Sequence, residues 1–236
     1  MNLSFRAGNA GTNLLLDKPF RLMRIHIRMK RKYLEAFLEQ QFPERKEMLL
    51  TQFDRLLELI WETNQNINLI SRQTPQDDYW TLHFLDSVLA SLICDFSHKK
   101  ILDFGTGGGL PGLPLKLLFP DSEVYLLDST HKKINAIKNI IKMLDVQSCF
   151  TIVSRLEDLD YKWDGFFDVI VCRSVKILPE YKQKMLKILK KDGRILLYKS
   201  KLMEDVKLFE KVKIHALDRP EIGERKIVEI KKIMKR

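Results

Sequence analysis

At 236 residues, 45 % hydrophobic and 31 % charged, the chain is long enough for one α/β domain with a modest extension and a full hydrophobic core. No run approaches the roughly 18 apolar residues a membrane span requires, and three scattered cysteines (Cys94, Cys149, Cys172) supply neither a disulfide frame nor C-x-x-C zinc spacing, which suits a reducing cytoplasm. The net charge of +10 is uneven: residues 1–32 hold eight Lys/Arg against Asp17 alone (+7), the tail from Arg225 holds six against Glu229 (+5), and the middle is left at −2. Basic ends on a neutral body suit an anionic polymer, most simply RNA, although a solubilising charge run explains charge alone equally well.

In chain order, residues 1–28 show no clear periodicity and lack the apolar core of a secretory signal. They are expected to form a disordered arm or an extension ahead of a physiological start at Met29 or Met23. Residues 29–98 read as a helical N-terminal extension. Leu49, Phe53, Leu56, Leu57 and Ile60 recur at helical spacing and leave Asp54, Arg55 and Glu58 outside. Pro43 opens that helix, Asn64–Asn68 is a polar turn, Thr74-Pro75 is a break, and a further helix is predicted over Asp77–Cys94.

From residue 99 to 236 the pattern becomes Rossmann-like. Apolar runs at Ile101–Phe104, Val124–Leu127, Phe150–Val153, Phe167–Cys172 and Ile195–Tyr198 alternate with helical stretches, including one carrying Ile134, Ile137, Ile140, Ile141 and Leu144. Such alternation gives a parallel, doubly wound sheet. Val212–Leu217 and Ile227–Ile230 follow with only a loop between them, which makes an antiparallel hairpin. The fold class is therefore α/β with a mostly parallel seven-stranded sheet ending in a hairpin, as in class I S-adenosylmethionine methyltransferases, preceded by a helical arm.

The first strand runs into Asp103-Phe-Gly-Thr-Gly-Gly-Gly-Leu-Pro-Gly112, and the second ends at Asp128. Glycines admit a sharp turn and let a ligand lie against main chain, and a carboxylate one strand later suits a ribose. Gly107-Gly-Gly109-Leu-Pro-Gly112 satisfies the dinucleotide pattern, whereas the reading from Asp103 gives an S-adenosylmethionine loop. An acid two residues before the first glycine, a proline without an amide hydrogen and no basic residue inside the loop favour S-adenosylmethionine; a nicotinamide oxidoreductase remains the alternative on the loop alone.

Seven motifs in order carry a family resemblance: Asn66-Ile-Asn-Leu69, His83-Phe-Leu-Asp-Ser87, the glycine loop extended by Leu-Pro-Gly112, Leu127-Asp-Ser129 with Lys132-Lys133, Ser154-Arg-Leu-Glu157, Phe167-Asp-Val-Ile-Val-Cys-Arg173 and Gly223-Glu-Arg225. Over roughly residues 48–232 the chain resembles the glucose-inhibited division protein B family, the guanine-N7 methyltransferases of bacterial small-subunit (16S) ribosomal RNA. The resemblance implies cofactor contacts at Gly105, Leu110, Leu156, Glu157 and Arg173, with Asp128 on the ribose. It also implies a cytoplasmic enzyme, expected to be monomeric, whose partner is the small ribosomal subunit. Ser174-Val175-Lys176 after Arg173 and the basic segment before Tyr33 depart from the family pattern.

Guanine N7 carries a lone pair and no proton, so methyl transfer to it requires no general base, and none is assigned. The position after the fourth strand reads Cys172-Arg-Ser-Val175, without the Pro-Pro-aromatic signature of exocyclic-amine methylation. Cys172 is expected to be an inert core residue, and His83, near Asp86 and Ser87 on one helix, to be a positioning residue. Arg155 and Lys199 are the candidates for phosphate contact. An RNA-binding assembly factor with a degenerate cofactor fold and a methyltransferase acting on protein or a small molecule are the other rivals.

Overall fold

A computed structural model describes residues 29–201 and 203–232; the expectation for residues 1–28 lies outside them. The seven apolar runs form seven strands: β1 (Lys100–Phe104), β2 (Glu123–Asp128), β3 (Cys149–Val153), β4 (Phe167–Arg173), β5 (Leu189–Lys199), β6 (Val212–Ala216) and β7 (Lys226–Lys231). They make a single sheet in the order β3-β2-β1-β4-β5-β7-β6. β1 to β5 are mutually parallel, and β7 runs antiparallel to both β5 and β6. The order reverses between β1 and β4, and at such a switch point the carboxyl ends of the strands leave a crevice for a ligand.

Five helices follow from the apolar spacing: α1 (Arg31–Gln41), α2 (Lys46–Asn64), α3 (Gly112–Leu118), α4 (His131–Met143) and α5 (Pro179–Ile188). Every apolar residue assigned inward on α2 is buried, as are Ile134, Ile137, Ile140 and Ile141 on α4. The helical arm shares its core with the sheet: Leu34, Phe53, Trp80 and Phe84 belong to one cluster with Ile101, Val124, Ile137 and Val171. Arg45, in the 3-10 turn Pro43–Arg45 that opens α2, donates to the carbonyls of Leu118 (2.8 Å) and Leu117 (3.1 Å). A cation there satisfies orphan carbonyls at the C-terminal end of α3 and ties the arm to the helix that follows the glycine loop.

Two elements differ from expectation. The helix predicted over Asp77–Cys94 is broken into a 3-10 turn (Gln76–Asp78), a π-helical stretch (Tyr79–Leu85), one α turn (Asp86–Val88) and a second 3-10 turn (Leu89–Leu92). β5 begins at Leu189, six residues before the apolar run, because Leu189 already pairs with Phe167 and the register shifts before Val169 pairs with Arg194. The residues between form a bulge, which a period-two pattern does not mark.

Candidate active site

The glycine loop is organised from beneath by Asp103. This carboxyl is fully buried; its Oδ2 accepts from the Thr106 hydroxyl (2.6 Å) and the Gly112 amide (2.8 Å), and its Oδ1 has no partner among the described residues. Burial pushes its pKa up to about 6, against the pull of those two hydrogen bonds. A Cβ on Gly112 would lie 2.7 Å from that same Oδ2, so the glycine is what lets the helix start close on the acid. From above, the arm presses on the loop. Asn64 Oδ1 accepts from the Leu69 and Ile70 amides, and this turn brings Ile70 against Gly108.

Gly105 is the pivot. Its φ is +73°, and a Cβ there would sit 2.5 Å from Val175 Cγ2. On one side of that contact lies a cavity of about 310 Å³ lined by Gly105, Asp128, Ser154, Arg155, Leu156, Glu157 and Tyr181, among others. Asp128 is fixed in its wall by two amides, Gly107 to Oδ2 (3.1 Å) and Thr130 to Oδ1 (2.8 Å). Each oxygen keeps a second lone pair, so the carboxylate is oriented and still able to accept from two vicinal hydroxyls. The amides of Leu156 and Glu157 find no acceptor among the described residues and remain available to a flat heterocycle. Leu110 is buried at the loop's turn, with its amide bonded to the Thr106 carbonyl (3.0 Å). The cradle, the oriented acid and the open amides fit S-adenosylmethionine.

On the other side of Val175 lies a larger cavity of about 580 Å³, lined by the carboxyl ends of β4 and β5, the broken helix and the loop before β7. Arg173 is here, not in the Asp128 cavity. Its guanidinium bonds Asp86 (3.1 Å) and reaches the carbonyls of Leu82 and His83. Arg225 donates to the other oxygen of Asp86 (2.8 Å). Asp86, only 5 % exposed, therefore joins three separate motifs in one ion network, which reading each motif by itself did not reveal. The signal was two arginines and one acid, each in a different motif. Tyr198 adds a bond from its hydroxyl to the Ser87 carbonyl (2.7 Å).

The two phosphate candidates fare differently. Arg155 has a side chain 71 % exposed, with Glu157 at 3.8 Å. Lys199 is only 10 % exposed and ion-paired to Asp205, which also accepts from the Ile177 amide. Asp205 lies in the 3-10 turn after β5, so Lys199 is held by a local counter-charge whereas Arg155 is largely open to solvent. His83 lines the larger cavity, stacks edge-on against Tyr79 at 5.0 Å, and has neither ring nitrogen hydrogen-bonded among the described residues. Burial, with Arg173 nearby, drives its pKa down to about 3, so the ring is neutral. Cys172 is buried and its thiol is pushed well up by desolvation, as befits a core residue.

The fold agrees with what is similar to this chain. The SAM-dependent methyltransferase of Aquifex aeolicus superposes with a TM-score of 0.53 at 12 % identity, covering 70 % of this chain and 97 % of that one; at that identity the likeness shows the fold. A ribosomal RNA small subunit methyltransferase G of Chlorobium phaeobacteroides is 39 % identical over 64 % of this chain and 68 % of its own length. Its counterpart in Flavobacterium psychrophilum is 35 % identical over 74 % of this chain and 85 % of its own. The family described as rRNA small subunit methyltransferase G matches residues 49–221, a span that runs from α2 through the glycine loop and the Arg173 end of β4 to the loop before β7, and the chain belongs to that family.

Proposed function

We propose that this protein transfers the methyl group of S-adenosylmethionine to N7 of a guanine in the 16S RNA of the small ribosomal subunit. The observation that carries the reading is the pair of cavities meeting at the Gly105–Val175 contact. One has the oriented Asp128 and suits the nucleoside end of the cofactor; the other opens beside it for the acceptor. Gly105, Leu156, Glu157 and Asp128 hold the cofactor in this reading, Leu110 shapes the loop, and Arg173 shapes the acceptor cavity through Asp86.

The bound cofactor supplies an electrophilic methyl on a sulfonium. Gly105, Asp128, Leu156 and Glu157 would hold the cofactor so that this methyl meets the N7 lone pair, with the S–C electron pair going to sulfur and the positive charge to the purine. No proton moves. The acceptor cavity suits this: His83 is neutral with a pKa of about 3, a poor base, and Asp86 and Asp205 are committed to cations. What the protein must provide is alignment and a dry, shaped cavity.

The test is methyl-labelled S-adenosylmethionine with small subunits from a strain lacking this gene, followed by digestion to nucleosides. Label in 7-methylguanosine is expected; label in another nucleoside overturns the target atom while leaving the cofactor reading.

A further inference from the structure

The acceptor cavity contains one acid that no other group in it uses. Asp86 is bonded to Arg173 and Arg225, Asp205 to Lys199 and the Ile177 amide, and the Tyr198 hydroxyl to a carbonyl. Glu204, which opens the 3-10 turn Glu204–Leu208 after β5, lines the same cavity and has no hydrogen bond or ion pair among the described residues. Opposite in sign, Lys176 is exposed at the cavity and has no hydrogen bond or ion pair among the described residues. The loop between Arg173 and Lys176 is held by Ser174 at φ 60°, a left-handed conformation that costs a non-glycine residue energy and recurs where a loop must be held for function.

We propose that the cavity of about 580 Å³ receives the target guanine extruded from its RNA, and that Glu204 accepts hydrogen bonds from the guanine N1–H and exocyclic amino group. The inference rests on the guanine-N7 reading above and deepens it. A base in a helical stack cannot present N7 to a sulfonium methyl in a recessed cavity, so it must leave the stack. With N7 turned to the cofactor, the N1/N2 edge, on the opposite side of the purine, is left to the cavity's own polar groups, of which Glu204 is the acid with no partner among the described residues. That edge carries donors only, and a carboxylate matches two of them at once.

The contact is also differential. Methylation turns a neutral ring into a cation, so the N1–H and amino hydrogens become stronger donors as the bond forms. A carboxylate on that edge then stabilises the transition state more than the ground state. Adenine would set an unprotonated N1 against the same carboxylate, and lone pair would meet lone pair, which is how a polar site rejects the wrong base. Lys176 is placed to take the phosphate beside the extruded nucleotide.

The experiment uses the full chain, S-adenosylmethionine and small subunits lacking the methyl group, with single-turnover rates for wild type, Glu204→Gln and Glu204→Asp. Glu204→Gln is expected to lower the rate at saturating subunit by about tenfold or more. Its cofactor dissociation constant and half-saturating subunit concentration should stay within about twofold of wild type. Glu204→Asp should fall between the two, and it decides the matter if the glutamine variant does not fold. Rates within about twofold of wild type for the folded variants, or a loss that tracks cofactor affinity, overturn the proposal. If wild type labels a nucleoside other than 7-methylguanosine, the functional reading falls and takes this inference with it. If wild type makes 7-methylguanosine and the variants do too at full rate, this inference alone falls.

Discussion

Burial sends two side chains of the site in opposite directions with pH. Asp103 has its folded pKa raised from 3.8 to about 6, so the folded state holds its proton more tightly than the unfolded chain. The stability it contributes is present at low pH and is lost as pH rises from 3.8 through about 6. His83 has its folded pKa lowered from 6.5 to about 3, so the unfolded chain binds the proton first, and stability is lost as pH falls below 6.5. Between pH 6.5 and 5, His83 should cost about 2 kcal/mol and Asp103 return about 1 kcal/mol, leaving the wild type with a shallow decline. Urea unfolding at both pH values should show Asp103→Asn losing stability more steeply on acidification than wild type, and His83→Gln gaining it. Parallel slopes for all three proteins would mean that neither group is buried as described. At Gly105 the constraint is steric. Alanine there meets Val175 at 2.5 Å and must keep φ at +73°, so Gly105→Ala should cost about 1–3 kcal/mol and weaken cofactor binding. Adding Val175→Ala should restore the part due to the clash and leave the part due to φ, a split that calorimetric titration and thermal melts can measure together.

At the scale of elements, the broken helix is where function and fold are joined. A π-helical stretch shifts the hydrogen-bond pattern, and here the carbonyls of Leu82 and His83 turn to the guanidinium of Arg173, some ninety residues on. Asp86, one turn later, binds the same arginine and Arg225. Asp86→Asn would leave two guanidiniums facing each other with their counter-charge gone, at a cost of about 3–5 kcal/mol. Arg225→Gln removes a partner that is 25 % exposed and leaves Asp86 its bond to Arg173, so it should cost less, about 1–2 kcal/mol. A cost for Arg225→Gln equal to or above that for Asp86→Asn, read from urea unfolding, would show that the acid does not organise the network. None of this was legible in the sequence, where Asp77–Cys94 has the spacing of an ordinary helix and the partners of the broken stretch, Arg173 and Arg225, come from β4 and the loop before β7. The strands were legible, since each central strand is a short apolar run buried on both faces. The β5 bulge was not, because Lys190–Gly193 carries no apolar signal and is set by pairing with Phe167 and Val169. In the site, Asp128 could be placed from a local rule, a strand end after a glycine loop. Lys199 could not, because Asp205 takes it in the folded chain.

For the molecule as a whole, the question is which of its positive charges meet RNA. Of the eight basic residues before Tyr33, Lys30 and Arg31 are already bonded to Asp78 and Asp54 in the fold. Five more, Arg6, Lys18, Arg21, Arg24 and Arg28, precede Met29. If those five neutralise phosphates, each contact releases a counterion, and the slope of log affinity for the small subunit against log salt steepens by about 0.7–0.9 per contact. Replacing Arg21, Arg24 and Arg28 with Gln should therefore flatten that slope by about 2–3, with little change in melting temperature. Replacing Lys30 and Arg31 should do the reverse, lowering the melting temperature by loss of their partners and leaving the slope nearly as it was. Filter binding of labelled subunits across a salt series separates the two. An unchanged slope in the triple variant would make the basic segment a solvated charge run, and would leave RNA recognition to exposed residues at the two cavities, Lys176 at the acceptor cavity and Arg155 at the Asp128 cavity.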